Sequence, residues 1–131
     1  MKIYNQYIYI VIICCISCLA RAEPMYYVTH NRTDFETKTL IASDNPIFFS
    51  TPEHSSSKID WWMLQHRCET LLMNHTCKVL LKAETNSNHP VELGVLTIDL
   101  KYGEIYPKYL SANGYSVSVI GIGEIHIYKN P

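Results

Sequence analysis

The residues best suited to chemistry lie in one short segment, HRCETLLMNHTC at residues 66–77, in which the pattern His-x-Cys occurs twice. Residues two apart on a strand share a face, so His66 with Cys68 and His75 with Cys77 could bring two imidazoles and two thiolates together. That is the ligand set of a structural zinc site. A disulfide between the two cysteines is the alternative. The His-x-Cys spacing differs from the spacing of familiar zinc modules, which favours the disulfide.

The start of the chain indicates the compartment that these thiols enter. A short start with Lys2 and no acid precedes an uncharged apolar run of 13 residues, Tyr7–Leu19, and Ala20-Arg-Ala22 follows it. A charged start, an apolar run too short to cross a bilayer and small residues one and three positions before a cut are typical of a secretory signal peptide. We therefore predict a signal at residues 1–22, with cleavage before Glu23.

Three further cysteines, Cys14, Cys15 and Cys18, lie inside that predicted signal. An uncleaved anchor helix would need roughly 17 or more apolar residues. A lipoprotein signal would attach lipid at Cys18, but Cys15 occupies the position where a leucine is usual. We interpret the three as small hydrophobes that are removed with the signal. After export the remaining thiols meet an oxidising environment, so we predict a Cys68–Cys77 disulfide and no bound metal or cofactor.

The mature chain, residues 23–131, is predicted to form one weakly acidic domain. Removing residues 1–22 from the 131 leaves 109 residues, with nine basic against 12 acidic and a net charge of −3. This is the length of a single domain. The absence of a lysine or arginine run argues against nucleic-acid and anionic-membrane partners. No second apolar run of membrane length follows, so no membrane span is expected after cleavage.

Alternation of apolar and polar residues predicts a mainly β fold, either a small antiparallel sandwich or a barrel-like meander. Five strands in antiparallel succession are expected from Cys77 onward, with a tight hairpin at Asn113-Gly114 and Pro107 at an edge or a bulge. The string TPEHSSSK at 51–58 is interpreted as a polar loop. Residues 59–73 are ambiguous: a strand up to about His66 is favoured, and at most one short helix is expected there. Earlier strands are predicted at 25–30, 38–43 and 47–50, with a turn at 44–46.

Motifs for catalysis are not recognisable in the sequence. The string GIGE at Gly121–Glu124 is too near the end of the chain to precede a phosphate-binding helix, so we interpret it as a turn. There is no Gly-x-Ser-x-Gly or His-Glu-x-x-His motif, and the acids are scattered singly. No catalytic residue is nominated, although a site assembled only by the fold stays open.

Two aromatic pairs, Phe48-Phe49 and Trp61-Trp62, are candidates for contact with a partner, such as a protein. Adjacent residues on a strand point to opposite faces, so one member of each pair would lie in the core and the other outside. The exposed members are either incidental or the anchors of an interaction patch. Separately, Asn31-Arg-Thr33 and Asn74-His-Thr76 match the glycosylation acceptor pattern, which matters only if the producing cell glycosylates.

The stretch HPVELGVLTIDLKYGEIYPKYLSANGYSVSVIGIGEIHIYKN, residues 89–130, resembles the C-terminal part of small, uncharacterised secreted proteins of Gram-negative bacteria. The resemblance implies export and a β-rich ending, and it implies no activity. The sequence therefore favours a secreted or periplasmic binding protein that is stabilised by one disulfide and is not an enzyme. The alternatives are a small secreted hydrolase with a site assembled by the fold and a structural, envelope-associated protein.

Overall fold

A computed structural model describes residues 23–41, 47–69 and 75–131 of the chain. The predicted signal peptide at 1–22, the turn at 44–46 and the acceptor Asn74 lie outside these residues. Within the described part, no helix has the length and apolar character needed to cross a membrane. The elements are β1 (Tyr26–Asn31), β2 (Thr37–Ile41), β3 (Ile47–Thr51), β4 (Ser55–Asp60), α1 (Trp61–Glu69), β5 (Thr76–Ala83), β6 (Val91–Asp99), β7 (Ile105–Tyr106), β8 (Tyr109–Ala112), β9 (Tyr115–Gly121) and β10 (Glu124–Lys129).

The strands form two five-stranded sheets, which confirms the predicted sandwich class. The first sheet has the order β4-β1-β10-β9-β8 and the second sheet the order β3-β2-β5-β6-β7. All neighbouring strands are antiparallel except β1 and β10, which pair in parallel. The strands after residue 75 are consecutive in the chain, but β5 to β7 belong to the second sheet and β8 to β10 to the first.

The core lies between the two sheets and is built from the alternate residues that each strand turns inward. It contains apolar side chains from both sheets and from α1: Tyr27, Ile41, Trp61, Leu64, Val79, Leu81, Leu93, Leu96, Ile98, Ile105, Val117, Ile125 and Ile127. Buried polar residues from β1 and β2 join it, namely Thr29, Asn31, Thr37 and Thr39. These buried positions alternate with half-buried ones along β1 and β2, as the sequence pattern predicts.

Asn31 is a structural residue of this core. Its side chain is fully buried, and its Nδ2 donates to the carbonyl oxygens of Phe35 at 2.8 Å and of Thr51 and Pro52 at 3.1 Å. Its Oδ1 accepts from the backbone N–H of Thr33 at 3.0 Å and from the Thr33 hydroxyl at 2.7 Å. The acceptor pattern at Asn31 therefore serves the fold, and in the folded chain this amide is closed to glycosylation.

Two predictions for residues 51–66 are wrong. The serines of the supposed loop form β4, which pairs with β1 from Ser55 opposite Asn31 to Asp60 opposite Tyr26. An edge strand with one open side tolerates such polar residues, so composition alone misidentified it. The favoured strand up to His66 is instead a helix from Trp61.

Helix α1 forms because its buried residues, Trp61, Leu64 and Cys68, recur at positions i, i+3 and i+7 along one face. The Trp61 indole Nε1 also donates to the carbonyl oxygen of Leu100 at 3.0 Å, which anchors the first turn. The expectation of at most one short helix in this region is confirmed.

The segment 105–112 connects the two sheets. Residues 105–110 are one of the five strands expected after Cys77, but β7 pairs with β6 at the edge of the second sheet and β8 pairs with β9 at the edge of the first. The cis peptide bond Tyr106–Pro107 lies between them. Pro107 therefore lies in the bend between two edge strands rather than inside one strand. The hairpin at Asn113-Gly114 is confirmed for β8 and β9, because Ala112 is opposite Tyr115.

Candidate interaction surface

Cys68 near the end of α1 and Cys77 in β5 are joined by a disulfide. The S–S distance is 2.07 Å and the Cα atoms are 5.7 Å apart. Because each sulfur is bonded to the other, neither cysteine offers a thiolate to the alternative zinc ligand set of His66, Cys68, His75 and Cys77, and both histidines are exposed. Across the described ranges, no group of three or more histidine, cysteine or acidic residues could hold a metal ion. The bond ties the helix to the second sheet.

The two aromatic pairs do not form one patch. Trp61 is buried in the core and Trp62 beside it is 62% exposed, which is the division into one core member and one outside member expected for each pair. On β3, Phe49 packs against the core and Phe48 is 55% exposed. Phe48 lies on the outer face of the second sheet, whereas Trp62 lies on the helix that follows edge strand β4 of the first sheet.

Phe48 continues into a row of apolar side chains across four strands of the second sheet. It is directly opposite Leu40, Leu40 is opposite Leu80, and Leu80 is opposite Val95. Directly opposed residues point to the same face of a sheet. We call Phe48, Leu40, Leu80 and Val95 the apolar row; at a strand spacing of about 4.8 Å it is about 14 Å long.

The apolar row faces away from the core. Thr39 and Ile41 are buried on either side of Leu40, and Val79 and Leu81 are buried on either side of Leu80. Leu40 and Leu80 are half-buried on the outer surface. Val95, at the other end from Phe48, is 48% exposed. An antiparallel sheet normally places polar residues on its solvated face, so four aligned apolar residues depart from that pattern.

The sequence analysis nominated Phe48 of this row but not Leu40, Leu80 or Val95. One indication was present within a single strand: Leu80 lies midway between Lys78 and Lys82, so it points to the same face of the strand as these lysines. What the sequence did not contain was the register that aligns these residues with Phe48.

Lysines border the apolar row on both sides. On one side Lys38 is opposite Lys82, and on the other Lys78 is opposite Thr97. The Lys38 Nζ lies 4.6 Å from the centre of the Phe48 ring, a cation–π distance, and 3.8 Å from the Glu36 carboxylate. The outer face of the second sheet therefore combines an apolar centre with lysines on both borders, and Glu92 and Asp99 lie on the same face at β6.

The outer face of the first sheet has a different character, with a polar row that crosses all five strands. By register it consists of Ser56, His30, His126, Ser118 and Tyr109. The His30 and His126 rings meet edge to face, with centroids 6.2 Å apart. Burial lowers the pKa of His126, and the neighbouring Arg32 and His30 lower it further.

His30 also links a hydroxyl to a carboxylate. Its Nδ1 lies 2.6 Å from the Ser56 hydroxyl and its Nε2 2.5 Å from a Glu124 carboxylate oxygen. A nucleophile, a base and an acid are joined in this order in serine hydrolases, where the hydroxyl bonds Nε2 and the acid bonds Nδ1. Here the two nitrogens are exchanged. The array assembles only in the fold, and no sequence motif could have revealed it.

Comparison with known proteins places the chain in a family. The family described as "T2SS substrate NttC" matches residues 1–130, far more than the C-terminal third on which the sequence resemblance rested. The structure is similar to the crystal structure of the Legionella pneumophila type II secretion system substrate NttC, with 41% sequence identity and a TM-score of 0.76. That similarity covers 82% of this chain and 99% of the other. No curated protein matches the chain. The chain belongs to the NttC family of type II secretion system substrates and is a secreted protein.

Proposed function

We propose that this secreted protein acts by binding a partner, without catalysis, and that the outer face of its second sheet is the contact surface. The observation that carries this proposal is the apolar row, in which Phe48 and Val95 are about half exposed at the two ends. Exposed aromatic side chains in a contiguous apolar patch are typical anchors of interfaces.

The energetics of the apolar row agree with this role. Full burial of a large apolar side chain contributes about 1.5–3 kcal/mol, so covering the exposed half of Phe48 or Val95 would contribute about 1 kcal/mol each. The same surface left in water stabilises nothing. Leu40 and Leu80 between them already rest on the sheet, so a partner would meet a continuous, pre-ordered surface rather than mobile side chains.

Site-specific photo-crosslinking tests the proposal. A photoreactive phenylalanine analogue replaces Phe48 in one sample and Ile120, which is 52% exposed on the first sheet, in the control. Each protein is irradiated with culture medium and with cell-surface extract. We expect one discrete adduct from position 48 alone, and unlabelled wild-type protein should compete it away.

A second, unlabelled competitor tests whether the partner binds the apolar row itself. A Phe48→Ser/Val95→Ser double variant with an unchanged circular dichroism spectrum should fail to compete, because it lacks both ends of the row. Three results would overturn the proposal. The adduct could form equally from position 120, it could be competed away by the double variant as well as by wild-type protein, or it could fail to form.

The Ser56–His30–Glu124 array favours a second candidate function, a serine hydrolase. In that case Ser56 Oγ attacks an ester carbonyl while His30 accepts its proton at Nδ1 and Glu124 stabilises the resulting imidazolium at Nε2. The ester C–O bond then breaks as His30 gives the proton to the departing alcohol, and water, deprotonated by His30, hydrolyses the acyl-Ser56 ester and returns the proton to Ser56. A fluorophosphonate probe should then label the protein, and Ser56→Ala should abolish the labelling. Ser118→Ala, a serine of the same row, is the matched control. Absence of labelling and of ester hydrolysis would exclude this candidate.

A further inference from the structure

We infer that the partner of the outer face of the second sheet is an acidic protein segment. Its apolar side chains cover the apolar row, and its carboxylates pair with Lys38, Lys78 and Lys82. This inference rests on the proposed function and adds the chemistry of the partner to it.

The arrangement of charge on this face is the first argument. Lys38 and Lys82 lie in the row of residues directly next to Leu40 and Leu80, and Lys78 lies on the opposite side of Leu80. A segment that covers the apolar centre therefore brings its flanks to cations on either side. Glutamate or aspartate at those flanks would be attracted, whereas lysine or arginine would be repelled.

The second argument is a local conflict in the sheet itself. Lys38 and Lys82 are directly opposite each other on β2 and β5, a placement of like charges that destabilises an antiparallel pair. Lys82 also faces Glu92 on its other side, and Lys38 is drawn toward the Phe48 ring and Glu36. An anionic partner resolves the repulsion between the two.

A second copy of the chain and a lipid surface fit this face less well. Two copies packed face to face would bring lysine borders against lysine borders. An anionic bilayer would meet Glu92 and Asp99, which lie on the same outer face at β6. Leu40 and Leu80 are half-buried, so the row is shallow and does not project as a membrane-inserting side chain would. A protein segment can place its charges individually, so we commit to that partner.

Two synthetic helical peptides of equal length test the inference. Both carry a leucine stripe, with glutamate on its flanks in one and lysine in the other. In a titration followed by two-dimensional amide NMR, the acidic peptide should shift resonances of β2, β3, β5 and β6 and leave those of β9 and β10 unchanged. Binding should weaken as salt rises, because the charged borders are exposed.

Charge reversal provides the decisive control. The double variant Lys78→Glu/Lys82→Glu should weaken binding of the acidic peptide about tenfold and make the lysine peptide the better ligand. The matched variant Lys58→Glu/Lys101→Glu changes the net charge equally but lies outside this face, so it should bind as wild type does. Equal binding of both peptides, or an equal loss in both variants, would overturn the inference.

Three further outcomes separate this inference from the proposed function. A concentration-dependent dimer that Phe48→Ser/Val95→Ser abolishes would identify a second copy as the occupant and overturn the acidic segment. Binding to phosphatidylglycerol vesicles but not to the acidic peptide would identify lipid and overturn it too. If the adduct from position 48 forms while the acidic peptide does not bind, the contact surface stands and only its proposed chemistry fails.

Discussion

Replacing Asn31 with alanine should be one of the most damaging single changes in the described part of the chain. The side chain is fully buried and makes five hydrogen bonds to a single bend of the chain around residues 33–35 and to residues 51 and 52. Alanine removes all five. The Thr33 hydroxyl keeps its bond to the Phe35 carbonyl at 2.9 Å, so it is not orphaned.

The groups that lose their side-chain partner are the Thr33 N–H and the carbonyls of Thr51 and Pro52. An unsatisfied buried polar group costs about 1–3 kcal/mol. The Thr33 and Thr51 groups are buried and the Pro52 carbonyl is partly buried, which gives an expected loss of about 3–5 kcal/mol in the free energy of unfolding, a large fraction of a small domain's stability. Asn31→Asp should be at least as damaging, because its carboxylate would face the carbonyls to which Nδ2 donates.

Urea unfolding followed by circular dichroism measures the effect, with the denaturant slope compared between variants. Asn86→Ala is the matched control, since Asn86 is exposed and accepts one hydrogen bond, from the Glu36 N–H at 3.0 Å. That control should lose no more than about 1 kcal/mol. If Asn31→Ala loses as little as Asn86→Ala at an unchanged slope, the hydrogen-bond network does not hold the fold as argued.

Three other changes probe separate features. Reducing the Cys68–Cys77 disulfide, whose cysteines are nine positions apart, should lower the unfolding free energy by about 2.7 kcal/mol, and a chelator should have no effect; equal urea midpoints with and without reductant would contradict this. Gly114→Val should lower the melting temperature although nothing lies within 4 Å of the added Cβ, because Gly114 has a φ of 84°; Gly114→Asn should be milder, and equal melting of all three would count against the turn. The pKa of His126 is lowered in the fold, so the unfolded chain binds the proton more readily and the free energy of unfolding should fall as pH drops below about 6.5. His126→Gln should make the free energy of unfolding depend less on pH in this range, and an unchanged pH dependence would refute the role given to His126.

Features set by neighbouring residues were predictable from the sequence. Alternation identified β1, β2, β5 and β6, and Asn113-Gly114 identified its hairpin, because side-chain direction and turn conformation depend on a few adjacent residues. The disulfide followed from export and from the presence of two cysteines in the predicted mature chain. Each of these features depends on interactions between neighbouring residues or on the redox state of the compartment.

Features that depend on distant partners were not predictable in this way. Trp61 begins a helix because its indole reaches the Leu100 carbonyl, and β4 is a strand because β1 offers it a ladder. The Ser56–His30–Glu124 array joins three strands that the sheet order brings together.

The apolar row shows most clearly which features depend on neighbouring residues and which depend on distant strands. Local alternation can mark Leu80 as an apolar residue on the lysine side of its strand, since that requires only the period of two. Nothing within β5 aligns Leu80 with residues 40, 48 and 95. That alignment comes from the order and register of four strands that are far apart in the chain, and a slip of one residue would turn an aligned side chain toward the core. The candidate surface therefore exists only in the folded sheet.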